Sequence, residues 1–156
     1  MSSIVEFGLY TIKDNYFIDF KSDFLVDNKA ENRPNFCVVK EKNSDIIWFI
    51  PMSTQVEAYQ KKIEKNEKKH GEALFYHIGK VAGKKRVFLI GNMFPVTEHY
   101  IKQPYTICNT HYVIGNKKLI HSIHKKALKY LALVKHEKLK PAVDIMSIKQ
   151  ELQKAK

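Results

Sequence analysis

Phe36-Cys37-Val38-Val39-Lys40, Glu41-Lys42-Asn43-Ser44-Asp45 and Ile46-Ile47-Trp48-Phe49-Ile50-Pro51-Met52 follow one another without a break, and their reading decides the fold. Two runs rich in β-branched and aromatic residues, separated by five polar ones, predict a β-hairpin with a longer loop over residues 36–40 and 46–52. Ser53-Thr54-Gln55 comes next. From there residues 56–69 are strongly charged, with apolar side chains larger than that of alanine only at Val56, Tyr59 and Ile63. Those spacings of three and four predict a helix, with Ser53 or Thr54 as its N-cap and Glu57 as a capping-box partner. The hydroxyl pair therefore falls at a strand-to-helix junction.

Working outward, residues 4–12 read as a strand, and residues 15–20 as either a helix or a second strand. Residues 23–34 are polar, with turn signals at Asp27-Asn28 and Asn32-Arg33-Pro34, and read as a loop. Downstream, residues 73–78 and 86–90 predict strands around a basic turn, Gly79-Lys80-Val81-Ala82-Gly83-Lys84-Lys85, and Phe94-Pro95-Val96 continues the β character. From Lys117 the period changes. Leu119, Ile120, Ile123, Ala127, Leu128, Leu131 and Val134 recur at helical spacing, which predicts a long amphipathic helix closed by Pro141, then a last short helix over 144–156. Together these make one α+β domain over 1–156, a small curled antiparallel β-sheet flanked by helices with a long C-terminal helix.

The chain's 156 residues, 44% hydrophobic and 12% aromatic, suit a single domain with a filled core and exclude a disordered or collagen-like polymer. Its net charge of +11 is unevenly placed. Up to Glu57 six Lys/Arg stand against nine Asp/Glu, a net of −3, so the remainder carries +14. Such polarity suits a face that binds a phosphate backbone, because each neutralised phosphate releases a counterion. A lysine-rich solvated surface would share the composition.

The two cysteines, Cys37 and Cys108, are far apart and make neither a disulfide framework nor a zinc knuckle. A reducing, cytoplasmic setting is expected. The first residues lack a basic n-region, and no stretch approaches the roughly 18 apolar residues of a membrane span, so no export or anchoring is expected. His121-Ser122-Ile123-His124 has an i, i+3 spacing, but without an H-E-x-x-H motif or nearby carboxylates no metal site is expected. Walker, G-x-G-x-x-G and G-x-S-x-G motifs are missing too, so no small-molecule cofactor is expected. Ser53 and Thr54, beside helix-start amides, form a junction that can hold a phosphate, although plain capping uses the same residues. Arg33 can fork onto a phosphate or serve as a turn residue.

Phe7-Gly8-Leu9-Tyr10-Thr11-Ile12, Arg33-Pro34 before the strand, Pro51-Met52-Ser53-Thr54 closing the hairpin, and Val87-Phe88-Leu89-Ile90-Gly91-Asn92-Met93-Phe94-Pro95-Val96 occur in this order. Over residues 4–131 the chain thereby resembles the toxins of type III toxin-antitoxin systems, the ToxN/AbiQ/CptN/TenpN families, with the CptN branch nearest. The resemblance implies a MazF/Kid-like core related to SH3 barrels. It also implies a sequence-preferring endoribonuclease held inactive by a small antitoxin RNA of pseudoknot repeats, in closed toxin–RNA hetero-oligomers, with the toxin processing its antitoxin precursor. The family's hydroxyl pair corresponds to Ser53 and Thr54, and the basic residue entering the preceding strand corresponds, within a residue or two, to Arg33. Some relatives carry Pro-Lys after the hydroxyl pair where this chain has Gln55-Val56. That lysine is unmatched, and Gln55, Lys61 or Lys80 are its candidate substitutes.

A ribonuclease of this kind uses the substrate's own 2′-OH as nucleophile without a metal, and needs proton transfer and a cradle for phosphorane charge. Ser53 and Thr54 are candidate donors to the nonbridging oxygens, Arg33 and Lys80 candidate neutralising charges. His77, in Phe75-Tyr76-His77-Ile78-Gly79-Lys80, is a candidate proton carrier or a plain strand-face histidine. Trp48, Tyr59, Tyr76, Tyr100 and Tyr105 are candidate base-stacking surfaces, of which one or two are expected to serve while the rest pack in the core. Gln55, Tyr59, Lys61, Lys62, Lys80, Lys84, Lys85, Arg86, Lys117, Lys118 and Lys125 are the candidate RNA-binding residues. A non-catalytic RNA- or DNA-binding module would share the charge and aromatics, but would not need Arg33, Ser53, Thr54 and His77 in one pocket. A peripheral membrane protein would need a helix with a large exposed apolar face.

Overall fold

A computed structural model describes residues 4–21, 25 and 27–154. The elements along the chain are β1 (Leu9–Ile12), α1 (Asp14–Asp19), β2 (Asn35–Lys40), β3 (Ile47–Ser53), α2 (Val56–His70), β4 (Tyr76–Val81), β5 (Lys84–Leu89), β6 (Phe94–Val96), β7 (Ile101–Pro104), β8 (Thr106–Ile107), β9 (Thr110–His111), α3 (Lys117–Lys135) and α4 (Ile145–Lys154). The expected hairpin forms as β2 and β3, antiparallel, with Asn35 opposite Pro51 and Phe36 opposite Ile50. A bulge between Cys37 and Val39 sharpens its twist.

The sheet is a seven-stranded antiparallel one in the order β4-β5-β3-β2-β1-β7, with β6 also on β3. Its curl comes from β3, whose second edge passes from β6 at Ile47, Trp48 and Phe49 to β5 at Met52 and Ser53. The architecture is thus α+β, a bent antiparallel sheet with a long helix near its C-terminal end. Trp48, Phe36, Phe49, Phe88 and Tyr16 are fully buried, each contributing about 1.5–3 kcal/mol through removal from water. Helix α3 directs Leu119, Ile123, Ala127 and Val134 of the expected stripe inward, together with Tyr130, which was outside it, while Ile120 and Leu131 are partly buried and Leu128 faces solvent.

Several boundaries differ from the sequence expectation. Residues 15–20 settle as helix α1, and the first strand shortens to β1 because Phe7 takes a left-handed φ of 72° and Gly8 makes only a single bridge to Val113. Gly8 also has no room for a side chain, since a Cβ there would meet the His111 ring at 2.9 Å. The turn expected over 79–85 is mostly strand. Only Ala82 and Gly83 turn, with φ of 53° and 79°, the left-handed pair that a two-residue hairpin needs. Helix α3 stops at Lys135, well before Pro141, and Glu137 beyond it has φ 58°. Neither Ser53 nor Thr54 caps α2. Gln55 holds the cap position without a side-chain bond, Glu57 forms no capping box, and Ser53 belongs to β3. The expected loop over 23–34 and the end of the last helix lie partly outside the described residues, at Asp23, Phe24, Val26, Ala155 and Lys156.

Candidate functional site

Arg33 reaches the end of β3 because the chain before it is tied down. Asn28 carbonyl accepts the Arg33 N–H at 3.3 Å, and the buried Asn35 amide donates to the carbonyls of Arg33 at 3.0 Å and Tyr10 at 3.3 Å. The guanidinium donates through Nε to the Asp27 carbonyl at 2.6 Å and through Nη1 to the carbonyl of Met52. Arg33 therefore lies beside Ser53. Those two bonds use two of its five donors, which leaves the fork capacity for an anion. Burial lowers its pKa, while Asp27 and Tyr59 act in the opposite direction, and a guanidinium remains charged throughout.

Ser53 is 9% exposed and Thr54 is exposed. Ser53 Oγ accepts the Gln55 N–H at 3.1 Å, so the hydroxyl tightens the turn into α2 and keeps its own proton for donation. Tyr59, one turn into α2, packs its ring 5.2 Å from that of Tyr76, and Lys62 Nζ lies 5.1 Å from the Tyr59 centroid, a cation–π contact. Burial, and then Tyr59, raise the Tyr76 pKa. Arg33 is joined to the Met52 carbonyl before Ser53 and feels the charge of Tyr59, which packs on Tyr76, so these residues make one group about the β3-to-α2 junction, where Thr54 is exposed.

His77 is not part of it. Ser53 pairs with Val87 and Val87 with Ile78, while Met52 pairs with Phe88 and Phe88 with His77. Cross-strand partners share a face and successive residues alternate, so Ser53 and His77 point to opposite sides of the sheet. On the His77 side lies α3. Lys126 Nζ donates to the Tyr76 carbonyl at 3.0 Å, and a Cβ added at Gly79 would strike Leu119. Burial, helped by Lys126, drops the His77 pKa from 6.5 to about 4. The candidate proton carrier is instead a neutral packing histidine.

The same alternation divides the basic residues. Lys80 and Lys85, opposite one another, share the Ser53 face, whereas Lys84 and Arg86 share the His77 face. Lys61, Lys62 and Gln55 are exposed on or before α2, and Lys117, Lys118 and Lys125 are exposed on α3, across the sheet. Of the stacking candidates, Trp48 is buried with its indole N–H on Glu41 at 2.8 Å, and Tyr100 packs on Tyr16 at 5.3 Å. Tyr105 is partly buried against the core. Tyr59 and Tyr76 remain. Among the described residues no group of three or more His, Cys, Asp or Glu gathers to hold a metal ion, and none of their helices is long and apolar enough to cross a membrane. The sequence reading missed Asn35, which positions Arg33; as an Asn after Pro34 it reads only as a turn residue.

No family model and no curated protein sequence matches the chain. A solved structure does. It is that of AbiQ, described as a lactococcal anti-phage endoribonuclease belonging to the type-III toxin-antitoxin system, with a TM-score of 0.66 at 17% identity over 92% of this chain and 94% of that chain. The chain shares the AbiQ fold. The match extends over nearly the whole length of both proteins. At this site the architecture brings together hydroxyls, a guanidinium and phenols, a donor set suited to holding a phosphate and stabilising negative charge on it.

Proposed function

We propose that this protein is an endoribonuclease toxin of a type III toxin-antitoxin system, resembling the CptN branch most, held inactive by a pseudoknot RNA antitoxin. The observation that carries the reading is the placement of Arg33 against the carbonyl before Ser53, within a fold shared with AbiQ. A non-catalytic module has no need of that juxtaposition. In this reading the substrate's 2′-OH attacks the adjacent phosphorus and the bond to the 5′ oxygen breaks. The products are a 2′,3′-cyclic phosphate and a 5′-OH, and the 2′-OH proton is transferred so that the leaving oxygen departs as a hydroxyl. Ser53 and Thr54 donate to the nonbridging oxygens and Arg33 offsets the extra charge of the phosphorane. No metal is required along this route.

The outward lysines of α2 and α3 hold the antitoxin by shape and charge, in a closed toxin–RNA assembly that also processes the antitoxin precursor and acts in the cytoplasm, in phage defence. The test is incubation of RNA-free protein with a long RNA in EDTA, followed by analysis of fragment ends. Cyclic-phosphate and 5′-OH ends, lost in Ser53→Ala, are the expected result. Intact RNA with tight, salt-dependent binding would overturn the enzyme reading in favour of an RNA-binding module.

A further inference from the structure

Lys80 and Lys85 stand directly opposite one another in the β4–β5 ladder, both exposed. Neither has a carboxylate partner among the described residues. Like charges in directly opposed positions destabilise a strand pair, and the two-residue turn at Ala82 and Gly83 holds them in register. An anion between them would remove the repulsion. They lie on the Ser53 face, one alternation beyond Val87 and Ile78, which is about 6.7 Å along the strands. Lys85 is also one strand over from Ser53, roughly 8 Å from it between backbones, a gap that a long side chain closes on a neighbouring phosphate. Both lysines remain exposed although the chain runs from Ser53 into α2 on this face.

We propose that Lys80 and Lys85 seat the phosphate next to the one held by Arg33, Ser53 and Thr54, so that single-stranded RNA runs along the β4–β5 hairpin on the Ser53 face. This rests on the ribonuclease reading and refines it, since Lys84 and Arg86, equally basic and adjacent in sequence, face away and take no part.

The probe is a short single-stranded RNA of 2′-O-methyl nucleotides, which lacks the nucleophile and stays intact, with binding followed by fluorescence anisotropy across a salt series. Lys80→Gln/Lys85→Gln weakens binding roughly fivefold to tenfold at moderate salt and flattens the salt dependence. Lys84→Gln/Arg86→Gln, the same charge change on the other face, costs no more than about twofold. Equal losses from the two pairs, or none from the first, would overturn the seat. Lys85→Glu supplies a second reading that folding damage cannot imitate: it replaces a repulsive pair by an attractive one, so the thermal midpoint rises while RNA binding falls. A falling midpoint would remove the repulsion on which the argument depends. Failure of the enzyme reading is separately visible, because the parent protein would then leave unmodified RNA uncut while its grip on the 2′-O-methyl strand still tests the lysines.

Discussion

The two faces of the β3–β5–β4 ladder are filled differently. On one, Ser53 stands in line with Val87 and Ile78 and then with the exposed pair Lys85 and Lys80; on the other, Met52, Phe88 and His77 are in line beneath α3, with Gly79 pressed against Leu119. The first face buries Val87 and most of Ser53 but leaves the Lys80–Lys85 pair exposed. The second spends the same strands on packing, and its only imidazole is driven neutral by burial. The comparison teaches that basic and titratable residues adjacent in sequence acquire opposite roles once a strand imposes its two-residue period.

The largest effect that would break this contrast is at Ser53. Ser53→Ala is expected to lower kcat for RNA cleavage by about 10²–10³-fold, the scale of a lost transition-state donor, while antitoxin binding stays within a few-fold. A variant cleaving at the parent rate would dissolve the active face. Arg33→Lys is expected next, with kcat/KM down roughly tenfold to hundredfold, because an ammonium cannot span the Asp27 and Met52 carbonyls and still fork onto a phosphate. Steady-state kinetics on one RNA substrate decides it.

On the packing face, Gly79→Ala is expected to cost about 1–3 kcal/mol in denaturant unfolding by forcing Leu119 aside, and to leave the kcat of the folded fraction unchanged. The smallest effect is at His77. His77→Gln should leave the pH–rate profile unmoved within about twofold, which a proton carrier with a titration near neutrality could not do.

Its stability profile should change instead. In the unfolded chain the imidazole takes up its proton near 6.5, in the folded one only near 4, so folding binds fewer protons between those values. The parent therefore loses stability as pH falls from 6.5 towards 4. The variant should show a shallower loss over that window, read by thermal melts at a series of pH values.

Much of this architecture was legible in the residues. The β2–β3 hairpin followed from two apolar runs around a polar five, and α3 from apolar spacing that holds over five turns, because both patterns are long enough for local propensity and burial to agree. The strands at 73–78 and 86–90 were displaced because a run of glycines and lysines imitates a turn, when only Ala82 and Gly83 adopt left-handed angles. Capping by Ser53 failed for a related reason. A hydroxyl before a charged helix looks like a cap, yet pairing with Val87 extends β3 through Ser53 and moves the cap position to Gln55.

By itself, the sequence determined that the chain is basic and of mixed α+β type, that a hydroxyl pair follows its central strand, and that Arg33 precedes the strand before it. Hydrophobic period and composition are local quantities, so they survive without a fold. Which side chains meet was decided only by the tertiary structure: Arg33 reaches the Met52 carbonyl, next to Ser53, through a non-local strand pairing, and His77 is excluded by a register that no single strand carries. A one-residue slip between β4 and β5 would exchange the faces of His77 and Lys80 with those of their neighbours, and the tight turn at Ala82 and Gly83, with Leu119 of α3 pressed on Gly79, forbids it.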